Sequence, residues 1–188
     1  VLSGFVIGYA YDDRWNRMPL SKFFKRRLIR LHPMVIMGSF IGLLLFYLGG
    51  GSAFPLVAET PVWKLLLMFF LGCTMFPALT SWDIRGWQET NSLNGPSWSL
   101  LYEYLANIMY ALFIRRFGTK LLAACVVFFG LLTLNLCLNI DVLGLWQGRG
   151  DANFTVIGGW SVTPDQILIG FTRLLYPFFA GLLLSRLG

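Results

Sequence analysis

Charge is what this sequence has least of. Only 13% of its 188 residues are Asp, Glu, Lys or Arg, about half of the ~25% typical of a soluble domain. The shortage argues against a water-soluble globule. Acids are the scarcer sign, 9 against 15 Lys+Arg for a net +6, and the cations bunch at the ends of apolar runs as in cytoplasmic loops. The basic balance therefore does not point to nucleic acid. Histidine occurs once, as His32, and Cys73, Cys125 and Cys137 lie inside apolar runs with no C-x-x-C spacing. No metal site or disulfide framework is expected from them; they read as packing residues.

What is abundant is apolar: 56% hydrophobic and 16% aromatic residues, with a mean hydropathy of +0.66. A bilayer span needs about 20 predominantly apolar residues, and runs of nearly that length stand at 33–48, 62–79, 97–114, 121–138 and 167–185. A shorter one ends at Tyr11, and no internal repeat is visible. The expected fold is all-α, a polytopic transmembrane helix bundle of about five hydrophobic segments plus a truncated first one. With no initial Met and an apolar run at each end, the chain reads as an internal piece of a single transmembrane domain in the cell membrane, without a signal peptide.

The connections carry the polar residues. Residues 12–32 form a basic loop with Arg14, Arg17, Lys22, Lys25, Arg26, Arg27 and Arg30, a cytoplasmic signature. Gly49-Gly50-Gly51-Ser52 breaks the chain, 81–96 is a polar connection, and the loop 139–165 mixes Asp141, Arg149, Asp151 and Asp165 with glycines. A second basic stretch, Arg115 to Lys120, conflicts with the first, because three apolar runs separate them and would put them on opposite sides. Either one run does not cross or the second stretch is a local exception to the positive-inside tendency. The stretch 65–79 is a candidate for the first, since its 15 residues reach only about 22 Å of a ~30 Å core.

Polar residues inside spans are costly unless they face the bundle interior or a wet cavity, and three places hold them. Ser99, Glu103 and Asn107 repeat at i, i+4 and i+8 and form one stripe on a helix. Glu103 there either handles a proton or binds a substrate hydroxyl, or else pairs with an arginine to hold helices together. Arg173, central in its run with Thr172 and Tyr176 near it, needs a carboxylate, a backbone carbonyl or an anionic ligand. Arg27 and Arg30, at i, i+3 in the mouth of a span, share a helix face that can grip a phosphate or simply mark topology. His32, before a proline at the interface, reads as structural.

These pieces in this order resemble the acyltransferase-3 family of integral membrane O-acyltransferases, which acylate cell-surface carbohydrates. Ser3-Gly4-Phe5 is similar to the end of the family's second span, and 24–33 to its basic R-x-x-R segment, with Arg27 and Arg30 in the arginine positions. Trp98-Ser99-Leu100-Leu101-Tyr102-Glu103 resembles the W-S-L-x-x-E helix, and Arg173 with Phe178-Phe179-Ala180-Gly181 the late R…F-x-x-G span. The family's first span, with its arginine and histidine, has no counterpart here. The resemblance implies a catalytic histidine outside this chain and an inactive fragment.

It further implies transfer of an acyl group, commonly acetyl, from acyl-CoA as co-substrate to a carbohydrate hydroxyl, with no bound cofactor and membrane lipid as surroundings. Arg27 and Arg30 would bind the donor, Glu103 would support catalysis, and Trp98, Ser99, Asn107 and Arg173 are further candidates. A hydroxyl needs a general base near neutral pKa. The rival reading is a transporter, since intramembrane Glu and Arg also mark substrate pathways.

Overall fold

The computed structural model describes every residue except 50–53, 143, 147, 148, 150 and 151, together with the side chain of Asn16. The glycine break after Gly49 and Asp151 thus lie outside the described residues, where all regular structure is helical: α1 Leu2–Tyr11, α2 Leu20–Gly49, α3 Pro55–Ala58, α4 Val62–Thr74, α5 Ser97–Leu112, α6 Thr119–Leu138 and α7 Pro164–Leu187. Short 3-10 segments follow α1 at Asp12–Arg17 and α5 at Ile114–Arg116, and another lies at Thr80–Trp82. Helices α2, α6 and α7 are long and apolar enough to cross a membrane. Helix α6 leaves Val127, Phe128, Leu131 and Leu134 exposed, a continuous apolar face suited to lipid.

Two elements differ from the expected runs. The basic segment is no loop beyond residue 19: α2 begins at Leu20 and runs through Pro33. Lys, Arg and Leu are good helix formers, and the proline removes only the bond to the carbonyl of residue 29. The run at 62–79 is helical only to Thr74, because Met75 turns left-handed at φ 60. Its 13 residues rise about 20 Å.

The chain forms two compact units, whose boundaries fall inside α2 and α5. The first comprises Val1–Phe23, Tyr102–Gly159 and Pro164–Gly188. Here α7 packs on both α1 and α6. Gly4 and Gly8 of α1 form a G-x-x-x-G stripe, and a side chain at Gly4 would strike the Phe178 carbonyl of α7. Gly181 answers from α7, where a Cβ would strike the Val1 carbonyl. Small residues let the two backbones approach closely, the usual basis of helix association in lipid. Tyr102 enters the space left by Gly170, packs edge-on to Phe171 at 5.4 Å and donates its hydroxyl to the Ile167 carbonyl at 3.4 Å.

The same unit brings the two basic stretches together. Arg186, near the end of α7, donates to Asp12 at 2.6 Å and to the Arg115 carbonyl at 3.1 Å. It also reaches the Phe117 carbonyl, and Tyr110 donates to the other Asp12 oxygen. Arg115 lies over the Trp15 ring at 4.5 Å. The ends of α1, α5 and α7 thus meet in one place. At 13 and 16 residues, α4 and α5 rise about 20 and 24 Å, both less than a ~30 Å core.

The second unit comprises Phe24–Leu101 and Trp160–Thr163. Its core joins Leu65 and Met68 of α4 to Ala78, Ile84 and Leu93 of the following connection, with Leu43 and Phe46 of α2 packed against them. Another G-x-x-x-G pair, Gly38 and Gly42 on α2, seats Asn94 and the Leu93 backbone where a Cβ would not fit. The connection 75–96 is thereby pinned to α2.

Candidate functional site

Each sequence-predicted residue falls into one unit. In the first, Glu103 is half-buried on α5 and accepts a hydrogen bond from the Ser3 hydroxyl of α1 at 3.1 Å. Asn107, one turn on and 1% exposed, donates its amide to the Glu103 backbone carbonyl at 2.8 Å. That bond answers the cost of burying the amide in an apolar helix. Arg173 donates to the carbonyl of Gly158, whose neighbour Gly159 donates its N–H to Gln166 at 2.8 Å. Of the partners its position demands, the carbonyl is one that it finds. The two glycines have φ of +123° and +97°, a left-handed turn that few other residues tolerate. Arg173 and Gln166 of α7 together hold that turn.

In the second unit Arg27 and Arg30 stand one turn apart on α2 in unlike surroundings. Arg27 is 2% exposed, whereas Arg30 is exposed. A guanidinium is almost never so buried unless it is paired. His32 is half-buried at the head of the apolar part of the same helix.

Trp98 and Ser99, from the first turn of α5, line a cleft of about 400 Å³ together with Arg85, Trp87, Glu89 and Trp160. Arg85 donates to Glu89 at 2.9 Å, and its guanidinium lies 4.3 Å from the Trp87 ring centre and 4.7 Å from that of Phe54. Both distances are within cation–π range. Gly95 leaves room for this pair, since a Cβ there would come within 2.9 Å of Glu89. Trp160 is tied in by its backbone, its carbonyl accepting the Thr90 N–H at 2.7 Å. In the sequence, Arg85, Trp87 and Glu89 stand only as part of the polar connection 81–96. The signal was present in the i, i+4 Arg85 and Glu89 spacing with Trp87 between them, but nothing local shows that Trp98 and Trp160 join it.

Asp83 organises the loop from below. It accepts the backbone N–H of Arg85 at 2.9 Å, that of Gln88 at 2.7 Å and the Ser92 hydroxyl at 2.9 Å. Burial alone would raise its pKa, but these bonds favour the charged form and hold the carboxyl below its ordinary range. Glu89 moves the other way. Burial pushes it up, the nearby Asp83 adds to the rise, and Arg85 only partly opposes it.

The family model described as an acyltransferase domain matches residues 1–188. No curated protein and no solved structure matches the chain. With the whole length covered, and with three apolar helices among the described residues long enough to span a bilayer, the chain belongs to the acyltransferase-3 family.

Proposed function

We propose that this chain is part of a multi-pass protein of the cell membrane that moves an acyl group, acetyl as the first choice, from acyl-CoA to a carbohydrate hydroxyl. The observation that carries this reading is the family match over residues 1–188. The basic end of α2 faces the cytoplasm in this scheme, where the donor is found. Its phosphates need cationic partners, and guanidinium groups grip phosphate by paired charge-assisted hydrogen bonds. Arg30, exposed, meets the donor from solution, and Arg27, 2% exposed, supplies a fixed charge at the same end of the helix.

The chemistry then needs a base. The acceptor hydroxyl is a weak nucleophile, and the oxygen that gains charge during attack on the thioester needs hydrogen-bond donors. The resemblance assigns the base to a histidine outside these residues. Glu103, fixed by Ser3, orients that base or the acceptor hydroxyl. Trp98 and Ser99 begin the same helix and line the cleft described above.

Acetyl-CoA binding by the purified full-length protein in detergent tests the reading. Wild type should bind saturably, and Arg27→Ala/Arg30→Ala should lose at least about tenfold in affinity, as expected for losing a charged hydrogen bond worth ~1.5–3 kcal/mol. Glu103→Gln should lower turnover while leaving donor binding and thermal stability in detergent in place. Equal donor binding by wild type and the double variant would return the arginines to topology. Absence of binding by a folded wild type, with donor-independent flux of solute in vesicles, would favour a transporter.

A further inference from the structure

The cleft at Arg85 is more than a connection between helices. Its walls are three indole rings, Trp87, Trp98 and Trp160, and its polar groups are the Arg85 and Glu89 pair with the Ser99 hydroxyl. Trp87 is 57% exposed, so a large aromatic plane stands open beside a guanidinium and a carboxylate. Arg85 is held by aromatic rings and by Glu89, and its buried Nε has no hydrogen-bond partner among the described residues.

Charge narrows the occupant. One cation, Arg85, stands among two carboxylates, Glu89 bound to it and Asp83 accepting its backbone N–H. A phosphate or carboxylate ligand would enter a place already compensated and slightly acidic. A neutral ring fits better if it offers hydroxyls as both donors and acceptors on its edge and polarised C–H bonds on its face. The edge matches a guanidinium beside a carboxylate, and the face matches the electron-rich plane of an indole.

Position narrows it further. Arg85 packs on Phe46, near the C-terminal end of α2, at 5.9 Å, and Phe46 follows Arg27 by 19 positions in the same helix. At ~1.5 Å per residue that is about 28 Å, close to the thickness of a bilayer core. The cleft therefore lies at the opposite end of α2 from the donor-binding arginines.

We propose that this cleft, walled by Trp87, Trp98 and Trp160 around the Arg85 and Glu89 pair, binds a neutral pyranose ring of the acceptor, on the side of the membrane away from the basic loop. The assignment rests on the acyl-transfer reading for the word acceptor, but the binding of the ring does not. Trp87 supplies the stacking face, while Arg85 and Glu89 read adjacent hydroxyls. Gly95 keeps the pair uncovered.

The test is a titration of the full-length protein, in a detergent without a sugar head group, with the methyl glycosides of glucose, galactose, mannose and N-acetylglucosamine and with glucuronic acid. Binding is read by saturation-transfer NMR and by tryptophan fluorescence, with acetyl-CoA binding measured on the same samples. At least one neutral glycoside should bind saturably and more tightly than glucuronic acid. Its affinity should fall about tenfold or more, ~1.4 kcal/mol, in Trp87→Ala and in Glu89→Gln, with acetyl-CoA affinity unchanged. Trp87→Ala alters an exposed side chain and keeps the test valid should Glu89→Gln unfold. A wild type that binds acetyl-CoA but no neutral glycoside would overturn the proposal, as would preference for glucuronic acid or undiminished binding by Trp87→Ala. Glycoside binding through Trp87 without any acetyl-CoA binding would instead sink the transfer reading and leave the cleft assignment standing.

Discussion

Arg186 and Arg85 are both arginines held by an acid, and they meet opposite fates. Arg186 directs every nitrogen of its fork at the protein, to Asp12 and to the carbonyls of Arg115 and Phe117. Among the described residues, Arg85 pairs with a single acid, lies between aromatic rings and leaves Nε without a partner. The first arrangement ties helix ends together and commits four hydrogen bonds of the guanidinium to the protein. In the second, the guanidinium is fixed in place by stacking while part of its hydrogen-bonding capacity stays unused. Residue type and an acidic neighbour do not separate structure from site; the count of satisfied donors does.

Breaking the Arg186 cluster should have the largest effect. Asp12→Ala leaves a mostly buried guanidinium without its carboxylate, which costs about 3–5 kcal/mol, visible as a large loss of thermal stability in detergent. Arg85→Ala should cost clearly less, and an equal loss would erase the difference between the two arginines. Next in size is Gly181→Leu, which pushes a side chain into the α1 backbone at Val1. Overpacking costs about 1–3 kcal/mol, and a crosslink between cysteines placed in α1 and α7 should form more slowly in this variant.

Asp83→Asn comes third, at about 1–2 kcal/mol for weakened hydrogen bonds, and it carries a pH signature. The carboxyl of Asp83 is held below its ordinary value of 3.8, so its stabilisation is fully present above that pH and is lost as pH falls through the lower folded value. The variant should lack this part of the acid limb in a melting series. Glu89 runs in the opposite sense. Its carboxyl is raised above 4.5, so the folded state takes up its proton first and Glu89 favours folding progressively as pH falls through the raised value. Glu89→Gln should flatten that small rise, the weakest of these effects.

Hydropathy made the helices legible. It is a one-dimensional property, and the runs ending near residues 112, 138 and 187 are helices in the structure. What it hid were features set by distant contacts or by backbone geometry. The helical start of α2 through Lys25 to Arg30 looked like a loop because it is charged, yet charge does not oppose a helix at the membrane surface. Nothing in Met75 marks it as the left-handed end of α4. The conflict between the two basic stretches was legible; the meeting of Asp12 and Arg115 at Arg186 was not. At the candidate site, Trp98, Ser99 and Glu103 stood out by motif, whereas the cleft around Trp98 draws Arg85, Glu89 and Trp160 from segments that sequence alone does not connect.

The bond between Asp12 and Arg186 joins residues 174 positions apart, and it sets an order of events during synthesis. At ~5–20 residues per second, about 9–35 s pass between the emergence of one partner and the other. Throughout that interval α1 lacks the α7 surface that its glycines fit, and its apolar stripe must be sheltered by lipid or by the insertion machinery. The first unit is thus completed from its last helix backwards, and a ribosome halted before α7 would leave α1 in the bilayer with its small-residue face unmatched.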